Sequence, residues 1–203
     1  MGRYMVSFDI GSKNIHIING RYRKNNFDIR NAVISPTPDG AINDGKIENF
    51  NILRNRIKNL MVENKIKDKN AALTIQSTSV ITRDITLPTV KHEELDSMVK
   101  YEIEQFLPII ADEYMIEYTL IEEVIIEGIN QSKIQVAAMP KYLVDNYLNL
   151  LREAGLKPVA LDIHSNTVAK LFFNARDING NLYSADPTVA FIDLGHSNIN
   201  IHI

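Results

Sequence analysis

FDIGSKNIHI at residues 8–17 and IDLGHSNINI at residues 192–201 are two copies of one pattern, and this repeat decides the fold. Aspartate, glycine, asparagine and two isoleucines coincide in register. In each copy the aspartate closes an apolar strand, the glycine follows two positions later, and another strand begins directly. Each copy therefore predicts a tight β-hairpin with a glycine in its turn.

Such a hairpin has the composition of a phosphate-binding loop. Glycine permits positive φ and close approach of the backbone, so the N–H groups of the turn can contact a phosphate. The aspartate can hold Mg²⁺ through water, because hard cations prefer oxygen ligands and keep much of their hydration. One copy alone is equally well explained as an ordinary turn, where Asp and Gly are common. Two copies in register, far apart in the chain, favour two related domains that face each other across a nucleotide.

Strand-like and helix-like segments alternate along the rest of the chain. Apolar alternation predicts three antiparallel strands within residues 5–34, and apolar residues recur at helical spacing from Phe50 onward. Further helices are predicted over residues 89–107, 141–154 and 166–173. Strands are predicted over residues 71–76, 80–87, 114–126, 133–139, 159–163 and, as a hairpin, 189–203. This order predicts a mixed α/β fold.

The composition of the 203-residue chain excludes several classes of function. Without any cysteine there is no disulfide framework, thiolate nucleophile or cysteine-ligated metal, and the cytoplasm is favoured. With 22 basic and 25 acidic residues, the net charge of -3 gives no reason to expect nucleic acid as a partner. No stretch approaches the roughly 20 apolar residues of a membrane span, so no direct membrane insertion is expected.

The two hairpins resemble the paired phosphate loops of the actin and sugar-kinase ATPase superfamily. This resemblance implies ATP and magnesium as ligands. It assigns nucleotide binding to two sets of residues: Asp9, Gly11, Ser12 and Lys13 in the first loop, and Asp193, Gly195, His196 and Ser197 in the second. Asp9 and Asp193 would hold the magnesium through water.

The catalytic residue of the superfamily, which orients water, falls near Asp162 or His164. Both follow a predicted strand and precede a predicted helix. Asp162 is equally well placed to cap that helix, because aspartate oxygens accept hydrogen bonds from the first N–H groups of a helix. Both interpretations of Asp162 remain open on the sequence.

The middle of the chain resembles one branch of the superfamily, the PilM family of type IV pilus assembly. It carries EIEQFLP at residues 102–108, VAAMP at 136–140 and AGLKPVALD at 154–162, in the order typical of that family. With the two loops, the resemblance extends from residue 7 to residue 203.

The resemblance implies an actin-like (ribonuclease H-like) ATPase fold with an inserted small α+β subdomain, as in the related FtsA family. Residues 1–87 and 155–186 would form the first actin-like domain, 88–154 the insertion, and 187–203 the incomplete start of a second domain. The rest of that domain, with the adenosine loop, is expected beyond residue 203. An unsupported apolar hairpin predicts weak or absent ATP binding and self-association through residues 187–203.

PilM-like proteins are cytoplasmic adaptors, so the resemblance implies a role in pilus assembly and twitching motility with at most weak ATPase activity. They bind the cytoplasmic N-terminal tail of inner-membrane PilN in a groove. This would recruit the chain to the inner face of the cytoplasmic membrane, beside other pilus assembly proteins. Met98, Glu102 and Phe106, in the predicted helix over residues 89–107, are the candidate walls of that groove.

Departures from the family keep two alternatives open. The family commonly has small hydroxyl residues in the first loop and a lysine where His16 stands, so Lys13 is the candidate substitute cation. A small-molecule kinase of the same superfamily would use the same loops for phosphoryl transfer, although residues 88–154 offer no base motif. A binding module with a vestigial nucleotide site also agrees with these departures. Fold alone does not choose among the three.

Overall fold

The computed structural model describes residues 3–23, 26–106, 109–173, 175, 177–183 and 189–202. The chain divides into two compact units. The first contains Met1–Ser77 and Tyr147–Ile203, and the second contains Thr78–Asn146.

The first unit is built on a five-stranded mixed sheet. Its strands are β1 (Met5–Ile10), β2 (Asn14–Arg23), β3 (Asn26–Pro36), β6 (Asn70–Ile75) and β10 (Lys157–Ile163). Their order is β10-β6-β1-β2-β3. The pairs β1–β2 and β2–β3 are antiparallel, while β1–β6 and β6–β10 are parallel. The three antiparallel strands predicted from the N-terminal alternation are thereby confirmed.

Helices and short hairpins complete the first unit. The helices are α1 (Phe50–Glu63), α3 (Lys141–Glu153), which crosses the division between the units, and α4 (His164–Phe173). The short hairpins are β4 (Ile42–Asn43) with β5 (Lys46–Ile47), β11 (Asp177–Ile178) with β12 (Asn181–Leu182), and β13 (Phe191–Leu194) with β14 (Ile199–His202). Only the last of these three hairpins was predicted.

The core of the first unit follows directly from the sequence periodicity. In β1, Val6, Phe8 and Ile10 are buried while the alternate residues point away from the core. In α1, the buried residues Leu53, Ile57, Leu60 and Met61 recur at helical spacing. Burial of one face of β1 places Asp9 on the opposite, accessible face, one residue before the strand ends.

The second unit is an α+β module inserted between the two parts of the first. It contains β7 (Ile81–Pro88), α2 (His92–Phe106), a 3₁₀ turn at Ala111–Glu113, β8 (Tyr114–Ile126) and β9 (Ile129–Pro140). The sheet has the order β7-β9-β8. Leu87, Val99, Ile103, Ile134 and Val136 form its buried core. None of the helices in the described residues is long and apolar enough to cross a membrane.

The inserted unit begins and ends earlier than residues 88 and 154, which the sequence suggested. β7 pairs with β9 along its whole length, from Ile81 opposite Ala138 to Pro88 opposite Gln131. This pairing ties the strand to the insertion. At the other end, Tyr147 and the rest of α3 belong to the first unit. The β13–β14 hairpin lies in the first unit as well, and its assignment to a second actin-like domain stays a prediction.

Candidate functional site

The first glycine loop is a close turn between β1 and β2. The N–H of Gly11 donates to the carbonyl of Asn14 at 2.9 Å. A Cβ on Gly11 would lie 3.2 Å from that carbonyl oxygen, and the backbone of Gly11 is not in the positive-φ region. The close approach of this carbonyl, and not an unusual φ, therefore favours glycine at this position.

The second glycine loop repeats this geometry between β13 and β14. A Cβ on Gly195 would lie only 2.8 Å from the carbonyl oxygen of Asn198, and the φ of Gly195 is not positive either. Gly195 and Asn198 correspond to Gly11 and Asn14 in the sequence repeat. The repeat is thus a repeat of structure, and close approach of the backbone is what both copies require.

Each loop carries an aspartate that is oriented from the opposite strand of its own hairpin. Asp9 pairs with His16 across β1 and β2, and His16 Nδ1 lies 3.2 Å from Asp9 Oδ2. Asp193 pairs with Asn200 across β13 and β14, and Asn200 Nδ2 donates to Asp193 Oδ2 at 3.3 Å. His164 Nε2 lies 3.9 Å from the same Asp193 oxygen. The two carboxylates therefore have equivalent positions and defined orientations.

The two loops meet in the folded first unit. The hydroxyl oxygens of Ser12 and Ser197 lie 2.9 Å apart. Beside them, Asn198 Nδ2 donates to Asp44 Oδ1 at 3.3 Å. Two hairpins from opposite ends of the sequence thus face each other within one unit, and the arrangement of two domains across a nucleotide stays a prediction.

A cavity of about 440 Å³ lies between these loops. Its walls include all the residues predicted to contact a nucleotide, namely Asp9, Gly11, Ser12, Lys13, Asp193, Gly195, His196 and Ser197. His164, one of the two candidate catalytic residues, also lines it. The cavity therefore brings together the residues of the two sequence motifs.

A third loop, which the sequence analysis missed, contributes Asp44 to the cavity. Asp44 and Gly45 connect β4 and β5 with φ of +46° and +70°, the signs of a type I′ turn. A Cβ on Gly45 would lie 2.1 Å from the carbonyl oxygen of Gln76, so only glycine fits. Asp-Gly between Ile42 and Ile47 is a recognisable hairpin signal, but the sequence contained no indication that this turn reaches the cavity.

Tyr147 supports this turn from below. It is almost fully buried, and its hydroxyl donates to the carbonyl of Gly45 at 2.9 Å. Burial raises the pKa of Tyr147, and the negative charge of Asp9 raises it further. The phenol therefore stays neutral and keeps donating its hydrogen bond over the physiological pH range.

Thr37 makes two hydrogen bonds to the backbone of the first loop, and no sequence motif indicated this role. Its N–H donates to the carbonyl of Lys13 at 2.9 Å, and its Oγ1 donates to the carbonyl of Gly11 at 2.7 Å. The residue is only 6% exposed. Two carbonyls of the turn are thus bound to one buried residue, which restricts the loop.

Asp162, the other candidate catalytic residue, is engaged in local contacts at the start of α4. Its Oδ1 accepts hydrogen bonds from the N–H of Ile163 at 2.9 Å and from Asn166 Nδ2 at 2.7 Å. Its Oδ2 accepts from Lys170 Nζ at 2.7 Å. Asp162 is not among the described residues that line the cavity. The donors are the N–H of Ile163, which precedes α4, and two side chains of α4. None of these contacts is with a backbone N–H of the helix, so the capping and the catalytic interpretations of Asp162 both stay predictions.

The charges of the cavity decide which form of a nucleotide it fits. Three carboxylates line it, those of Asp9, Asp44 and Asp193, against the single ammonium group of Lys13 among the described lining residues. A free triphosphate would be repelled by this excess of negative charge. Within the described part of the chain, no three His, Asp or Glu side chains are close enough to form a complete metal site. Asp9 and Asp193 offer carboxylate oxygens, the kind of donor that a hydrated magnesium ion accepts, and magnesium binding stays a prediction.

A separate cavity of about 260 Å³ lies within the second unit, between β7 and the end of α2. Its lining consists of residues 83–86 together with Glu102, Ile103 and Phe106. Phe106 is 65% exposed. Met98, the third predicted groove residue, packs instead against the core of the unit, because it lies on the inner face of α2 beside Val99. Two of the three predicted residues thus share one groove.

Comparison with solved structures identifies the class of fold. One similar structure is a chain of the "PilM-PilN type IV pilus biogenesis complex", with a TM-score of 0.73, 24% sequence identity, and coverage of 85% of this chain and 50% of that chain. Another is the cytoplasmic domain of EpsL, an inner membrane component of the type II secretion system of Vibrio cholerae, with a TM-score of 0.52, 9% identity, and coverage of 80% and 58%. The chain therefore spans about half the length of the first matched chain.

The mixed five-stranded sheet, the inserted α+β unit and these structural similarities define a protein of the actin-like fold. A family model described as "Type IV pilus assembly protein PilM" matches residues 7–203. The chain belongs to this PilM family.

Proposed function

We propose that this chain is an adaptor of type IV pilus assembly that binds magnesium nucleotide between its two glycine loops and the N-terminal tail of PilN in the groove of its second unit. One observation carries the nucleotide part: Ser12 and Ser197 face each other in a cavity that also contains Asp9 and Asp193. Membership of the PilM family and similarity to the PilM-PilN complex support the partner.

In this proposal five residues of the cavity have defined tasks. The hydroxyls of Ser12 and Ser197 and the ammonium group of Lys13 donate to phosphate oxygens. Asp9 and Asp193 accept hydrogen bonds from the water that hydrates the metal. Bound magnesium supplies the positive charge that the cavity lacks.

Titration with a fluorescent ATP analogue tests the nucleotide site. Binding should require magnesium, because the carboxylates of the cavity oppose a free triphosphate. Binding of equal strength with and without magnesium would contradict this assignment of the carboxylates. A coupled assay for ATP consumption separates an adaptor from the alternative small-molecule kinase, which would turn over ATP once its acceptor is supplied. A chain that binds the PilN tail but no nucleotide would be the module with a vestigial site.

The groove of the second unit suits an extended peptide. β7 is an edge strand of its sheet, so its outer backbone groups are available for pairing with an added strand. Phe106 and Ile85 offer apolar surface, while Arg83, Asp84 and Glu102 offer charge. Calorimetry with a synthetic PilN tail should show binding in the micromolar range, roughly -8 kcal/mol. The absence of saturable heat with a folded sample would exclude this partner.

The same proposal places the chain in the cytoplasm, held at the inner face of the membrane through PilN and near other pilus assembly proteins. Self-association is proposed through the β13–β14 hairpin, whose Ile192, Leu194, Ile199 and Ile201 are exposed. Sedimentation of the wild-type chain and of Ile199→Ser tests this. A strictly monomeric wild-type chain would contradict self-association.

A further inference from the structure

The segment between α1 and β6 presents lysines on one side only. In Lys65-Ile66-Lys67-Asp68-Lys69 the lysines are exposed, whereas Ile66 is 5% exposed. Asp68 is directed inward, where its Oδ2 accepts a hydrogen bond from Asn19 Nδ2 at 3.0 Å. The alternation therefore separates three ammonium groups from the anchoring residues of the same segment.

These lysines border a cavity of about 390 Å³, here called the lysine groove. Lys58 of α1 adds a fourth ammonium group to its rim. Apolar side chains provide the remaining lining, with Met61, Val62, Ile66 and Ala154. Val62 is 78% exposed, an unusual degree of exposure for an aliphatic residue beside a cavity. The groove thus combines a cationic rim with an apolar floor.

The carboxylates near the lysine groove do not neutralise its rim, because arginines bind them. Glu63 pairs with Arg56 at 3.3 Å. Asp68 lies 3.6 Å from Arg30. A third pair joins Glu153, next to Ala154, to Arg54 at 2.8 Å. In the part of the chain that the structure describes, none of the four lysines of the groove makes an ion pair. Four like charges without counter-charges are unfavourable for folding, so an external anion would relieve their repulsion.

We propose that the lysine groove is a docking site for an acidic peptide segment that inserts an apolar side chain between the lysines. Because the four rim lysines are positively charged, the partner should be acidic. Because the floor of the groove is concave and apolar, the partner should also carry an apolar side chain that fills it. A flat bilayer surface could contact the lysines but would not fill the cavity between them. A peptide side chain reaches the floor while neighbouring carboxylates meet the rim.

The test uses a fluorescein-labelled, end-capped peptide of twelve residues, ten glutamates with two leucines four positions apart, titrated with the whole chain at low salt. Saturable binding that weakens steeply as salt is added is the expected result. Reversing two charges of the rim with Lys65→Glu and Lys67→Glu should weaken binding about tenfold, since exposed interfacial charges act individually with modest strength. The matched control is Lys91→Glu, an exposed lysine of the second unit, which should leave binding unchanged.

Measurements with other ligands and with a variant of the floor distinguish the occupants of the groove. Replacing both leucines of the peptide by serine should weaken binding about fivefold if the apolar floor is used. Equal binding of the serine peptide, or equal binding by the double lysine variant, would overturn the proposal. Vesicles with one quarter phosphatidylglycerol and tripolyphosphate are tested in the same way. If either binds through these lysines while the peptide does not bind, the proposal is also overturned. Circular dichroism verifies that the double variant is folded, and Val62→Ser tests the floor without altering charge.

Discussion

Ser12 Oγ and Ser197 Oγ lie 2.9 Å apart, although 185 positions separate the two serines in the chain. Each serine belongs to a tight turn, in which a Cβ on the glycine would lie 3.2 Å (Gly11) or 2.8 Å (Gly195) from a backbone carbonyl oxygen. Their contact is therefore a sensitive measure of whether the two hairpins face each other. In the proposed complex, a phosphate at this position would accept hydrogen bonds from both hydroxyls.

A disulfide in place of this contact should form readily. The chain has no cysteine, so Ser12→Cys/Ser197→Cys introduces the only two thiols. Because the hydroxyl oxygens lie 2.9 Å apart, a small side-chain rotation would bring sulfur atoms at these positions to the disulfide bond length of about 2.05 Å. Mass spectrometry after mild oxidation should show the crosslink. Nucleotide affinity should fall in the oxidised form and return with reductant. If the thiols of the double variant stay free while both react with maleimide, the loops do not face each other.

Asp9→Ala should abolish nucleotide binding and leave the fold intact. The side chain of Asp9 is 52% exposed, so its removal takes little packing from the core. Asp193→Ala should act in the same direction, because the two carboxylates occupy equivalent positions in the repeat. Asp39→Ala, an exposed aspartate that does not line the cavity, is the control. Unchanged binding by Asp9→Ala would reduce the first loop to an ordinary hairpin.

Thr37→Val should destabilise the chain by about 1 kcal/mol and at most about 3 kcal/mol, since it leaves the carbonyl of Gly11 without its buried hydroxyl donor. Thr37→Ser keeps the hydroxyl and should lose less. Urea denaturation measures both changes. A serine variant as unstable as the valine variant would show that the methyl group, and not the hydrogen bond, is what matters.

Phe106→Ala should weaken binding of the PilN tail about tenfold, because a truncated aromatic anchor is the commonest cause of large affinity losses. Its 65% exposure means that stability should hardly change. Tyr101 on the same helix is 64% exposed and does not line the groove, so Tyr101→Ala is a matched control. Calorimetry of the PilN tail with both variants measures the two changes in affinity. Equal losses of affinity would show that the peptide binds outside this groove.

The phenol of Tyr118 should remain protonated well above pH 10, where a tyrosine ordinarily loses its proton. Its hydroxyl donates to Asp96 Oδ1 at 2.6 Å, and this hydrogen bond is the main reason why its pKa is raised from 10.0 to about 12. A raised pKa of the folded state means that this contribution to stability is complete below pH 10 and is lost as the pH rises towards 12. NMR titration of ring-labelled tyrosine should detect the late signal. Asp96→Asn should move it downwards, and an unchanged titration would contradict this cause.

Local features of the chain were predictable from its sequence because they depend on neighbours. Alternation in β1 and β2 and the helical spacing in α1 determine which face is buried, whatever the rest of the chain does. The glycines at positions 11 and 195 were identified as parts of tight turns for the same reason. The start of the second compact unit, at Thr78, could not be derived in this way, since the membership of β7 depends on its pairing with β9, more than forty residues further along the chain.

By itself the sequence determined the two hairpins, their aspartates and the family, because all three are written in short runs of adjacent residues. Only the tertiary structure decided that Ser12 meets Ser197, that Thr37 holds the first turn, and that Asp44 joins the cavity. It also directed Asp162 towards Asn166 and Lys170. The physical reason is that such contacts join residues whose separation is set by how sheets, helices and turns pack, and no local pattern encodes that distance.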